Sequence, residues 1–428
     1  MVRKNSQLHQ RLRDEIWGIK IYSSHEHFCT EQQYLDMHLD FASLVTHYVL
    51  AGFQWVCSSV RSQADAEAID KLKSPDVSED EKWEIFEPYR EMVWNTGCFR
   101  EVQLVLEGLY GIKDLNRKTY TAVGQCLREN QRPGHYKEIM DKSGIDYAMV
   151  DHMATYGENP EYDLKHFGPV YRIDEWRETP FYKKHGITTV DETFDKIAEY
   201  MQVLADNGTK AIKVVNPVAD NTHFSTKWKK PEIEKAFECI LRDKSASRSQ
   251  IEPFAHAMVS EFVRHAEEYS MCVQIHTGWQ MFAAGNPYLL RNLFEAFPEV
   301  KFDVFHAGYP FNGELATLAR FRPNVYPDLC WVAKESGTLA KRILSEWLEM
   351  IPINQILAFG NDTVVIDNCY GYQQIVRQTV LEVLEEKVLS KIFSEDQAIL
   401  IANKILRDNL KSIINNRQPN YYWLQAKI

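Results

Sequence analysis

Eight short apolar runs with the composition of β-strands, most of them followed by a stretch of helix length, constrain this chain more than any other feature. They lie at residues 21–28, 145–151, 169–173, 211–215, 272–276, 301–306, 324–329 and 355–360. Between the later runs stand amphipathic segments at 286–297, 312–321 and 339–350, the first with Leu289, Leu290, Leu293 and Phe294 at helical spacing. Strands that alternate with helices build parallel βα units, and eight such units predict a closed (β/α)8 TIM barrel. A doubly wound sheet is the competing arrangement. Against it, no Gly-x-Gly-x-x-Gly or Gly-x-x-x-x-Gly-Lys loop follows the first run, as a phosphate-binding sheet of that kind would require. Polar residues also mark the C-terminal ends of several runs, which is where barrels place their chemistry.

Spacing locates an insertion. Residues 276 to 306 make an ordinary βα unit, whereas the stretch from His27 to Asp151 is several times longer and reads as helical throughout. Residues 30–143 are therefore expected to form a helical cap inserted after strand 1, inside a single barrel domain spanning 1–428. A helix at 7–17 precedes the first strand, and two extra helices, 370–387 and 395–412, follow the last, with Ser394 and Gln397 spaced as a capping box. A smaller enlargement at 216–253 carries Lys227-Trp228-Lys229-Lys230, which reads as a solvated charged face.

With 428 residues and 45% hydrophobic content, the chain can bury a large core. Its net charge of -11, without a long basic block, argues against a nucleic-acid surface. No apolar run reaches the roughly 18 residues needed to span a bilayer, and residues 1–15 are polar, so a cytoplasmic protein is expected. The eight cysteines are spread singly, which fits reduced, buried thiols rather than disulfides or a zinc ribbon. The expected partner is a small molecule, with a homo-oligomer left open.

The strand ends carry the chemistry. His25 and His27 stand two apart in an extended run, so both imidazoles face one way. His276, His306 and Asp362 end or closely follow later runs. Imidazoles and a carboxylate converging from separate strands suit Zn2+, or Mn2+ or Fe2+, with a position left open for water. Such an ion brings the pKa of water to about 7, and a carboxylate beside it can serve as general base. The other histidines, His47 and His135 among them, lie in helices or loops and read as structural. Asp367 reads as a loop residue that tolerates asparagine.

His-x-His after strand 1, histidines after strands 5 and 6, and Phe359-Gly360-Asn361-Asp362 after strand 8 resemble the pattern of the amidohydrolase superfamily. His276-Thr277-Gly278, His306-Ala307-Gly308-Tyr309-Pro310 and Asn324-Val325-Tyr326-Pro327-Asp328-Leu329-Cys330-Trp331 are similar, more narrowly, to its amidohydrolase-2 branch. That branch includes uronate-isomerase-like proteins, aromatic-acid decarboxylases and domains fused to glutamine-synthetase-like proteins. The resemblance is strongest over residues 270–415. It implies His25, His27, His276 and Asp362 as ligands of a primary metal, Asp362 as the proton-transfer group, and His306 as a polariser of the substrate carbonyl or a ligand of a second metal. Lys213 would be either a carboxylated bridge between two ions or a partner for a substrate carboxylate. Arg172 and Trp279 are candidates for gripping that carboxylate and its carbon skeleton. The implied activity is that of a metal-dependent hydrolase acting on a small carboxylate-bearing amide, ester or lactone. Uronate isomerisation or non-oxidative decarboxylation on the same site is the alternative, and a metal-binding protein without activity a further one.

Overall fold

The computed structural model describes residues 6–54, 63–215, 217–218, 222–242 and 246–415. Seven parallel strands follow one another in sequence order: β1 (Ile21–Glu26), β2 (Ile145–Asp151), β3 (Phe167–Arg172), β4 (Ala211–Val215), β5 (Cys272–His276), β6 (Phe302–Val304) and β7 (Val325–Pro327). Val273, Ile275, Phe302, Val304 and Val325 are wholly buried, as expected of strands covered by helices on one side and by the barrel interior on the other.

The eighth run departs from its expected form. Residues 355–360 make a single bridge, Asp328 to Leu357, rather than a strand. The segment nevertheless closes the barrel. Leu357 N donates to Pro327 O (3.0 Å) and Trp331 N to Gly360 O (2.8 Å) on one side. On the other, Ser24 N donates to Phe359 O (2.8 Å), Asp362 N to His25 O (2.9 Å) and His27 N to Thr363 O (2.9 Å). Just past the segment, Asp362 takes a left-handed conformation, with φ of 57°. Gly360 is required here, since a Cβ would lie 2.5 Å from Ser24 Oγ and 2.7 Å from Cys330 Sγ. The buried Glu26 carboxylate reinforces the seam by accepting from Ser23 Oγ, Asn361 N and Thr363 N.

Between β1 and β2 the described residues are largely helical, beginning with short pieces at Glu31–Leu35, Ala42–Val45 and Ala51–Gln54. Longer helices follow, including Glu79–Val93, Gly97–Val105 and His135–Ser143. This block is stitched to the helix after the eighth run, Asn368–Leu389. Asp367, in the turn just ahead of that helix, is not the solvent-facing loop residue that a tolerated substitution would need. It is wholly buried and accepts from Tyr110 Oη and His135 Nε2 of the inserted block. At the C-terminus, Ser394 and Gln397 form the expected capping box. In the enlargement after β4, Trp228 does not face solvent freely, since its Nε1 donates to His256 Nδ1 (3.1 Å). The cysteines among the described residues are free thiols, and Cys57 lies outside them. No helix among the described residues is long and apolar enough to cross a membrane.

Candidate metal centre and active site

Because every strand runs the same way, residues far apart in sequence arrive at one rim. β1 delivers His25 and His27, whose Nε2 atoms lie 3.4 Å apart. Asp362, carried by the eighth segment, sets Oδ1 at 3.0 Å from His27 Nε2 and 3.6 Å from His25 Nε2. In β4, Lys213 reaches the same point, with Nζ 2.6 Å from His25 Nε2 and 3.3 Å from Asp151 Oδ2. His276 and His306, from β5 and the turn after β6, stand 3.1 Å apart, Nδ1 to Nε2. His306 Nε2 is 3.9 Å from Asp362 Oδ2. His25, His27, His276, His306, Asp362 and Lys213 are thus gathered in one place.

The imidazoles are oriented from behind. His25 Nδ1 meets Gln274 Oε1 (3.1 Å), His27 Nδ1 the carbonyl of Asp151 (2.7 Å), and His306 Nδ1 the carbonyl of Cys330 (3.0 Å). An acceptor facing each Nδ1 places the proton there and leaves the Nε2 lone pair turned toward the cluster. Two such lone pairs beside a carboxylate oxygen repel one another unless a cation lies among them. The residues therefore fit a metal ion. Two buried atoms, Asp362 Oδ1 and His276 Nε2, have no hydrogen-bond partner, as expected of ligand atoms. Donor atoms of His25, His27 and Asp362 form one compact group able to hold an ion, and those of His306, Cys330 and Asp362 a second, each within 4.8 Å.

Electrostatics follows from burial. Burial, and then the charge of Lys213, push His25 well below the usual imidazole range. Burial and His306 do the same to His276, and burial brings His306 down to about 4. Burial works against the Asp362 carboxylate, but His27, His25 and Lys213 outweigh it and hold the group well below the usual range. Asp151 is treated alike by Lys213, His27 and Arg172. Burial lowers Lys213 although Asp151 opposes the shift.

A cavity of about 320 Å³ opens over this cluster, lined in part by His27, Arg172, Lys213, His276, Trp331 and Asp362. Arg172 forms a two-point pair with Asp151 Oδ2, at 3.0 Å from Nε and 2.6 Å from Nη2. Trp331 is the tryptophan of the cavity wall; Trp279 packs behind it at 4.7 Å and donates from Nε1 to His306 O. His306, Asp362, Trp279 and Trp331 all have positive φ, backbone strain of a kind that clusters at functional sites. Asp151, His47 and Tyr48 escaped sequence reasoning. Asp151 ends a β-type run just as the ligands do, and that signal was available. His47 and Tyr48 lie in the turn between the short helices Ala42–Val45 and Ala51–Gln54 and line the cavity; only tertiary packing brings them there. Tyr48 hydrogen-bonds Asp362, and its ring lies 4.0 Å from Lys334 Nζ.

A parallel barrel with a histidine and carboxylate cluster at its C-terminal rim defines a metal-dependent barrel enzyme. The chain belongs to the amidohydrolase family, whose model matches residues 128–395. Over 153 residues it is 29% identical to the protein fluG of Emericella nidulans, a match spanning 34% of this chain and 18% of that protein. The fold is shared with a uronate isomerase from Thermotoga maritima (TM-score 0.73, 15% identity, 95% of this chain and 97% of that one). A glucuronate isomerase from Caulobacter crescentus is similarly alike (TM-score 0.73, 14% identity, 98% and 96%). So is a uronate isomerase from Bacillus halodurans (TM-score 0.68, 14% identity, 97% and 98%).

Proposed function

We propose that this amidohydrolase is a hydrolase with a two-ion centre, acting on a small amide, ester or lactone that carries a carboxylate. The observation that carries the reading is Lys213. Its Nζ, 2.6 Å from His25 Nε2, competes as an ammonium for the lone pair a metal ion needs. Loss of a proton frees the amine, whose reaction with carbon dioxide forms an N–C bond and releases a second proton, so that the ammonium cation becomes a carbamate anion. A carbamate there would attract metal ions where the ammonium repels them. His25, His27 and Asp362 would hold one ion, and His276 and His306 the other, with Zn2+, Mn2+ and Fe2+ all suited to the donors. When bound, the ions polarise a carbonyl and acidify water.

The chain's own groups do the rest. Asp362 accepts the proton from the attacking water and passes it to the leaving group. With Lys213 as a carbamate, Arg172 faces three anionic groups, the carbamate, Asp151 and Asp362, and two divalent ions would outweigh that deficit, leaving the cavity positive and suited to an anionic substrate. The block of residues 30–143, which supplies His47 and Tyr48, acts in this reading as a cap. Tyr48→Phe is expected to slow turnover about tenfold, the worth of one hydrogen bond to a charged group, with folding unchanged by circular dichroism.

Aldose–ketose isomerisation of a uronate is the second reading, supported by structural similarity that extends over 95–98% of this chain. Purification without chelator, metal analysis and intact-protein mass spectrometry separate the two. About two transition-metal ions per chain, the mass of one carbon dioxide lost with Lys213→Met, and turnover of lactones, esters or amides support hydrolysis. One ion, no added mass and turnover of a uronate support isomerisation. Absence of metal after reconstitution would end both.

A further inference from the structure

Beneath the cluster, the barrel interior holds Ser24, Gln274, Asp303 and Asp328, all wholly buried and none a ligand. Asp328 accepts at both oxygens, from Ser24 Oγ (2.5 Å) and from Cys330 N (2.8 Å). Asp303 lies in hydrogen-bond contact with Asp328, and its Oδ2 accepts from Gln274 Nε2 (3.2 Å). Two touching carboxyl groups wholly out of water cannot both be ionised. The pair therefore keeps a proton between its two carboxyls, and Asp303 Oδ2 remains an acceptor for Gln274 Nε2.

The consequence runs upward through Gln274. Its Nε2 is committed to two acceptors, Ser24 O (2.7 Å) and Asp303 Oδ2. The amide oxygen must therefore face His25 Nδ1. We infer that Gln274 is a positioning residue, held by Ser24 O and Asp303 Oδ2, and that it fixes His25 as the Nδ1–H tautomer with an unprotonated Nε2 facing the cluster. The inference rests on His25 being a metal ligand, as in the function proposed above.

Zinc affinity of the full chain, measured by competition with a chromogenic chelator, tests it. Gln274→Met keeps the shape and removes the acceptor, and is expected to weaken zinc binding about tenfold to a hundredfold. Asp303→Asn keeps a donor toward Asp328 and an acceptor for Gln274, so its affinity should stay within about threefold of the parent, whereas Asp303→Leu should fall with Gln274→Met. A folded Gln274→Met that binds zinc like the parent overturns the inference. So does an Asp303→Asn as weak as Asp303→Leu. Nitrogen-15 shifts of His25 in the metal-free parent decide the matter should the variants fail to fold, since a protonated Nε2 would contradict the assigned tautomer. A parent chain that takes up no zinc would count against the metal reading, while the tautomer measurement would still judge Gln274.

Discussion

Asp362→Asn should fold, keep at least part of its metal and lose turnover by at least about a hundredfold, the lower end of what a general base contributes. Asparagine is the informative replacement because position 362 has φ of 57°, a conformation that asparagine tolerates better than most residues. The backbone bond from its N–H to His25 O is kept, as is one oxygen able to bind an ion. What disappears is the charge and the proton-accepting oxygen. Turnover on a responsive substrate, metal content and circular dichroism together check the result. Near-normal turnover with metal in place would remove Asp362 from the role of base, and the hydrolytic mechanism with it.

Asp367→Ala should cost stability rather than chemistry. Its carboxylate receives Tyr110 Oη and His135 Nε2 from the inserted helices, and truncation leaves both buried donors unpaired. At about 1–3 kcal/mol for each, the loss is about 2–6 kcal/mol, read as a lowered urea midpoint. Asp367→Asn, which retains one acceptor, should lose less. An unchanged midpoint for Asp367→Ala would mean that the inserted block does not depend on this joint.

The barrel was legible because each strand repeats one local pattern, an apolar run ending in a polar residue, and burial on both faces makes such runs conspicuous. The eighth run was legible as a position but not as a conformation, since the groups that meet it, Ser24 and Cys330 against Gly360, come from elsewhere in the chain. Gln274 was discoverable in principle: it stands two residues before His276 on a strand, and so on the same face. Asp151 was within reach for the same reason as the ligands. His47, Tyr48 and the true surroundings of Asp367 were not, because residues of the inserted block acquire neighbours only through packing. No spacing along the chain encodes which turn will lean over the cavity.

The seam of the barrel joins the two ends of the functional sequence. His25 and His27 come from its beginning and Asp362 from near its end, and the backbone bonds between them are the ones that close the cylinder. These are contacts of very high sequence separation, whose loop-closure entropy must be met before they stabilise anything. A cation held by His25, His27 and Asp362 would therefore bind the closed barrel and not the open one. By mass action its free concentration then becomes a determinant of how much of the chain has its seam open, so that metal supply and the equilibrium population of the closed barrel would be thermodynamically linked.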